Sequence, residues 1–352
     1  MERDLERIAE NPYEPLTHLL FRSKRDVFTP EGIPYLVVHT HKFNPFLLYL
    51  CVTTMHKTEF HGSALSFEDQ IRLLRSQGLE IKDEKKALRV LQNVSYSRLK
   101  SYLVPLMEDR VSHRFRPGAS MDDAYALYGF DRRLRELIFH EMEKIEISIR
   151  ARMGYVSSGS DSGYWYMNPD YFRSKGEHRE LMRHLISEVQ RSDNDAIKRF
   201  YEKYSNPLPP CWLALEATSM GTLASIFAAM KPGILRIKIA GHYGVSDSVF
   251  CSWLHHLVYI RNMCAHHNRL WNKTLSVPAL IPDTYRDIFP EQQPDAQNHV
   301  YLTLCVIKYL QNTVKPTNSF AQRLKALIHN SPVVDTALMG FPAGWEDDPF
   351  WK

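Results

Sequence analysis

Apolar residues recur every three or four positions through most of the chain beyond residue 66, a period that predicts helices rather than strands. The strongest run lies between 130 and 153, where Leu134, Leu137, Ile138, Met142, Ile145, Ile149 and Met153 share one face. Arg132, Arg135, Glu136, Glu143 and Lys144 fall mostly off that face and read as its solvated side. Ser66, with Glu68 and Asp69 behind it, predicts a helix start, Ile71 and Leu74 its buried positions and Gly78 its stop. A second helix is expected over 83–94. Arg116-Pro117-Gly118 reads as a turn, after which Ser120 caps a helix with Asp123 at its third position. Further helices are expected over 177–190, 195–204 and 298–310. The stretch 212–230 reads as one buried helix in which Ala214, Ala217, Gly221, Ala224 and Ala228 let a neighbour approach closely. Glu216 is conspicuous inside it, as a carboxylate able to pair with an arginine or orient a histidine.

Composition supports a mostly helical, all-α protein. Gly is scarce for the length, 15 in 352 residues, and good helix formers fill the periodic segments. The formal net charge of +4 permits an RNA or phosphate partner without demanding one. Five cysteines, Cys51, Cys211, Cys251, Cys264 and Cys305, form no close pairs, which with no secretory signal points to a reducing cytoplasm. The apolar run 46–55 is too short to span a bilayer, so no membrane partner is expected.

The helix expected from Val249 carries the chemistry. Phe250, Trp253, Leu254, Leu257 and Cys264 make its apolar stripe, and Arg261 falls on that stripe where a leucine would be ordinary. A buried charge needs a partner. Asn262, His266 and His267 follow within two turns, and imidazoles move protons near neutral pH. An arginine and histidines so spaced suggest phosphate chemistry, although an ordinary ion pair and structural histidines fit the spacing too. Cys251 and His255, with Cys264, His266 and His267 nearby, also admit a zinc site, but no second paired Cys or His spacing supports one.

The run Arg261-Asn262-Met263-Cys264-Ala265-His266-His267-Asn268-Arg269-Leu270-Trp271-Asn272 resembles the signature of the abortive-infection (Abi, AbiD/AbiF-like) proteins of the HEPN superfamily. Ser95-Tyr96-Ser97-Arg98-Leu99 keeps part of that family's tyrosine-rich element, and the segments around Leu127-Tyr128-Gly129-Phe130-Asp131-Arg132 and Met339-Gly340-Phe341-Pro342 are also family-like. The resemblance implies a HEPN-like helical bundle. It divides the chain into an extension (1–62), a helical module (63–118), a core bearing the motif (119–312) and a C-terminal strap (313–352). Residues 1–62 match nothing in that family: either the natural start is Met55, or the segment is a real accessory piece.

What the resemblance implies chemically is a metal-independent endoribonuclease with no cofactor. Arg261 would neutralise the scissile phosphate and His266 would transfer protons, with His267 as the alternative. Asn262 would contact phosphate or hold a tautomer, and Arg269 and Glu216 would assist substrate binding. Arg261 and His266 lie five residues apart, so on one helix they point about 140° apart. A symmetric homodimer would bring them into one cleft. RNA is the implied substrate, in phage defence, with a phage-derived trigger or an antitoxin as further partner. The alternative is a non-catalytic RNA-binding or protein-interaction module.

Overall fold

The computed structural model describes residues 63–158, 163–285, 288–290 and 298–352, together with two short strands further upstream. The chain divides into two compact units, Met1–Ala64 and Leu65–Lys352. In the first, β1 (Val27–Phe28) pairs antiparallel with β2 (Pro34–Tyr35). The remaining expectations for 1–62 lie outside the described residues.

The second unit is an all-α bundle. α1 (Phe67–Ser76), α2 (Glu84–Val94) and α3 (Tyr96–Leu103) form a small module. Ser66 accepts from the Asp69 amide at 3.1 Å and donates to its carboxylate at 2.6 Å, the reciprocal cap expected of that sequence. Gly78, at φ +92°, ends α1 where a side chain would be strained. A two-strand ribbon, β3 (Met107–Asp109) with β4 (Arg114–Phe115), then leads through the Arg116–Ala119 turn to Ser120, which caps the next helix with Asp123.

That helix, α4, runs unbroken from Met121 to Ser158, 38 residues. It fuses the two helices the sequence suggested, because Gly129 costs only about 1 kcal/mol in a helix whose neighbours Leu127, Phe130 and Leu134 are fully buried. After it come α5 (Lys175–Gln190), α6 (Asp195–Lys203), the single turn α7 (Cys211–Ala214), α8 (Met220–Ala229) and α9 (Ile234–Gly241); α7 and α9 pack on α4, α6 on α7 and α5 on α8. α10 (Asp247–Ala265), α11 (Val300–Val314) and α12 (Phe320–His329) complete the bundle.

The expected helix over 212–230 is two pieces. After α7 a 3-10 turn (Leu215–Ala217) ends at Thr218, and Ser219 caps α8 anew. The break is held from α4: Arg150 donates from Nε to the Leu215 carbonyl and from Nη2 to the Thr218 carbonyl, both at 2.8 Å. A guanidinium thus satisfies carbonyls that helical amides would otherwise take. α12, which the sequence pattern did not suggest, is tied to α4 by Arg323, which bonds the buried Glu141 carboxylate. The final segment lays Phe341 on Tyr301 with ring centroids 4.5 Å apart, and Trp351 donates to the Tyr301 hydroxyl at 3.1 Å. Among the described residues no helix is long and apolar enough to cross a membrane.

Candidate functional site

α10 starts at a Ser246 cap and buries Phe250, Trp253, Leu254, Leu257 and Ile260, so its end is held firmly in the bundle. Its last turn closes in a double reverse hydrogen bond. The Asn268 amide donates to the Met263 carbonyl at 2.8 Å and the His267 amide to that of Cys264 at 3.1 Å. This C-terminal cap needs a left-handed residue, usually glycine. Here His267 fills it at φ +57°.

The loop beyond the cap is clamped by two of the other three family-like segments, those around Arg98 and Asp131. Asp131 on α4 is fully buried and accepts from the backbone amides of Leu270 at 3.0 Å and Trp271 at 2.7 Å. Its second oxygen accepts from the Tyr102 hydroxyl at 2.6 Å and from Arg135. Burial and this carboxylate push the Tyr102 phenol well above its ordinary range. Trp271 stacks on Tyr102, their centroids 6.3 Å apart.

Three arginines finish the clamp through carbonyls. Arg98 donates to His267 at 2.7 Å, Arg135 to Asn268 at 3.3 Å, and Arg269 to Ser101 at 2.7 Å. Arg135 therefore does not belong to a solvated face: it is 5% exposed. Sequence spacing missed it because an Asp–Arg pair four residues apart on a helix is the ordinary surface arrangement.

Arg261 lies apart from this clamp. It is half-buried, its Nε is enclosed without a hydrogen-bond partner among the described residues, and its guanidinium sits 5.9 Å from the Phe139 ring centre. It lines a groove of about 320 Å3 with Glu143, Glu146, Ile147 and Arg150 of α4. Glu146 is already paired with Arg150 at 2.7 Å. Phe139 and Ile147 are exposed along the same flank.

Asn262 and His266 are both exposed, at positions that turn away from that groove, Asn262 by one residue and His266 by five. Within one chain, then, the structure groups His267, Arg269 and the clamp, and leaves Arg261 on another flank of α10. Glu216 is exposed in the 3-10 turn, and no ion pair joins it to Arg261 among the described residues. Its expected place inside a buried helix is lost with that helix.

For the zinc alternative, no three His, Cys, Asp or Glu side chains among the described residues are placed to hold a metal ion. Cys264 is buried, and that burial pushes its thiol up to about 12.

The family described as Abi-like protein matches residues 89–272, just over half of the chain. The chain belongs to the Abi-like family. The match takes in α3, α4, α8 and α10 and ends one residue beyond Trp271, so it contains the whole clamp and the motif. No curated protein and no solved structure matches the chain.

Proposed function

We propose that this Abi-like protein is an abortive-infection effector that cleaves RNA by transesterification. Family membership supports the abortive-infection role. The observation that carries the chemistry is Arg261: a guanidinium on a half-buried seam, its Nε unpartnered among the described residues, next to a groove. An arginine left so is suited to take an anion from outside the chain, because its planar fork stays charged and binds phosphate oxygens bidentately.

In the reaction, a histidine removes the proton from a ribose 2′-hydroxyl. The 2′-oxygen attacks the adjacent phosphorus, the bond to the 5′-oxygen breaks, and that oxygen takes up a proton. The products are a 2′,3′-cyclic phosphate and a 5′-hydroxyl. Arg261 neutralises the phosphorane oxygens, and acid–base transfer of this type contributes about 10²–10⁴ in rate. His266 is the preferred proton carrier; both histidines are exposed, and His267 differs in that its backbone takes the left-handed conformation of the helix end. Asn262 is exposed beside it for a phosphate or tautomer contact. Arg269, through its bond to Ser101, acts on the loop's position rather than on RNA.

Two copies complete the site. Arg261 and His266 diverge on one helix, and two-fold packing of α10 against its symmetry mate lets the arginine of one copy meet the histidine of the other. Phe139 and Ile147, exposed beside Arg261, supply apolar surface for that contact. Activity is held back until a phage-derived trigger arrives or an antitoxin is lost.

The clamp favours a second reading, a non-catalytic RNA-binding or protein-interaction module, since much of the motif after His266 is occupied in holding the fold. Inducible expression in bacteria separates the two. The nuclease reading expects growth arrest with RNA fragmentation for wild type and neither for Arg261→Ala. Arrest with intact RNA would favour the binding module.

A further inference from the structure

The imidazole of His266 is exposed and has no hydrogen-bond partner among the described residues. A catalytic base is ordinarily oriented by a third group on its other nitrogen. The aim of His266 therefore comes from its backbone, which ends α10 at φ −88° with its amide on the Asn262 carbonyl at 3.0 Å.

The peptide that joins His267 to Asn268 fixes that end. Its N–H donates to the Met263 carbonyl at 2.8 Å, within the turn, and its C=O accepts from Arg98 at 2.7 Å. His267 stands left-handed at φ +57°, a conformation unfavourable for a residue with a Cβ. With both ends of the peptide held, it cannot rotate out of the turn. Without Arg98, its carbonyl has no anchor and the strain at His267 favours opening.

The place of Arg98 is set by α3. Ser95, the single residue between α2 and α3, turns the chain at φ +68° and accepts from the Arg98 amide at 3.4 Å. Leu99, Tyr102 and Leu103 are buried and seat α3 on α4, so the guanidinium projects from a firm base. The contact is reciprocated: Arg269, two residues beyond His267, donates to the Ser101 carbonyl, also at 2.7 Å.

We propose that Arg98 is a positioning residue of the cleavage reaction, holding the His267 carbonyl so that His266 is presented in one orientation. This rests on the nuclease reading with His266 as proton carrier. Arg98 differs from Arg135, which neutralises the buried Asp131. It is exposed and pairs with no carboxylate among the described residues, so its removal leaves no buried charge behind. The consequence of losing it falls on the turn, not on the fold.

Two measurements on the full chain test this. Amide hydrogen exchange, read by mass spectrometry, follows the hydrogen-bonded amides of His266, His267 and Asn268. Arg98→Ala is expected to speed their exchange about tenfold and to leave peptides from α4 and α11 as in wild type. In steady-state cleavage of a single-stranded oligoribonucleotide, the same variant is expected to lose about tenfold in kcat with KM unchanged. Arg98→Lys, which still carries a charged donor, recovers part of that loss. A direct contact between Arg98 and the substrate would raise KM instead. Unchanged exchange at 266–268, faster exchange throughout the protein, or a raised KM with kcat intact overturns the proposal. Should wild type cleave nothing, the nuclease reading falls, and the exchange result alone decides whether Arg98 holds the turn.

Discussion

The carboxylate of Asp131 holds the backbone amide of Trp271 at 2.7 Å, linking residues 140 positions apart in the chain. Through this bond the middle of the longest helix fixes the loop that follows the motif. Asp131 is fully buried, and Arg135 and Tyr102 share its other oxygen. Removing one member of a buried charge pair leaves the other uncompensated, which costs about 3–5 kcal/mol. Asp131→Ala is therefore expected to lower the stability of the protein by that amount in chemical denaturation, and Asp131→Asn, which keeps one acceptor, by less.

His267 occupies a left-handed position at φ +57°. A side chain there costs about 1–2 kcal/mol, and glycine's extra freedom in the unfolded chain returns about 0.5–1 kcal/mol of that. His267→Gly is expected to be as stable as wild type or more stable by up to about 1 kcal/mol, whereas β-branched His267→Val loses stability. With His266 as proton carrier, His267→Gly retains RNA cleavage. Denaturation midpoints and cleavage rates on the same preparations check both statements.

A third outcome concerns acid. His256 is fully buried; the Val277 carbonyl must accept from its Nδ1–H at 2.6 Å, which leaves Nε2 to accept from the Thr303 hydroxyl at 2.9 Å. Burial lowers its pKa to about 4 from the ordinary 6.5. The unfolded chain takes up a proton at this residue before the folded one does, so the contribution is complete above pH 6.5. It is lost progressively as pH falls toward 4. A gap of that size is worth about 3 kcal/mol. His256→Gln should flatten the decline in stability between pH 6.5 and 4 measured by denaturant titration.

Much of the fold was legible because it rests on local rules. The Ser66 and Ser120 caps, the apolar stripe of α4 and the buried face of α10 all follow from spacing and side-chain chemistry alone. What spacing hid depends on distant partners. Arg135 reads as a surface residue until Asp131 turns inward, and the helix over 212–230 reads as continuous until Arg150 takes the carbonyls at its break. His267 carries no glycine signal, so its role as a cap emerges only from the Met263 and Cys264 carbonyls. The motif itself was readable from order and residue type, but the divergence of Arg261 from His266 gains its meaning from the flanks they occupy.

That divergence makes a prediction about assembly. If the site forms between copies, Arg261→Ala and His266→Ala proteins, each inactive alone, regain part of the activity when unfolded and refolded together. On statistical mixing with one intact Arg–His combination per mixed pair, about a quarter of the wild-type rate is expected. Rates measured across mixing ratios should peak at equal amounts. No recovery at any ratio would place both groups in a single chain's site.

The most direct measurement is cleavage of single-stranded RNA by purified wild type and Arg261→Ala, with the product ends identified by mass spectrometry. The account expects wild type to leave 2′,3′-cyclic phosphate ends and the variant to lose at least two orders of magnitude in rate while keeping its fold. Undiminished cleavage by Arg261→Ala, or an intact substrate with wild type under every activating condition, would contradict it.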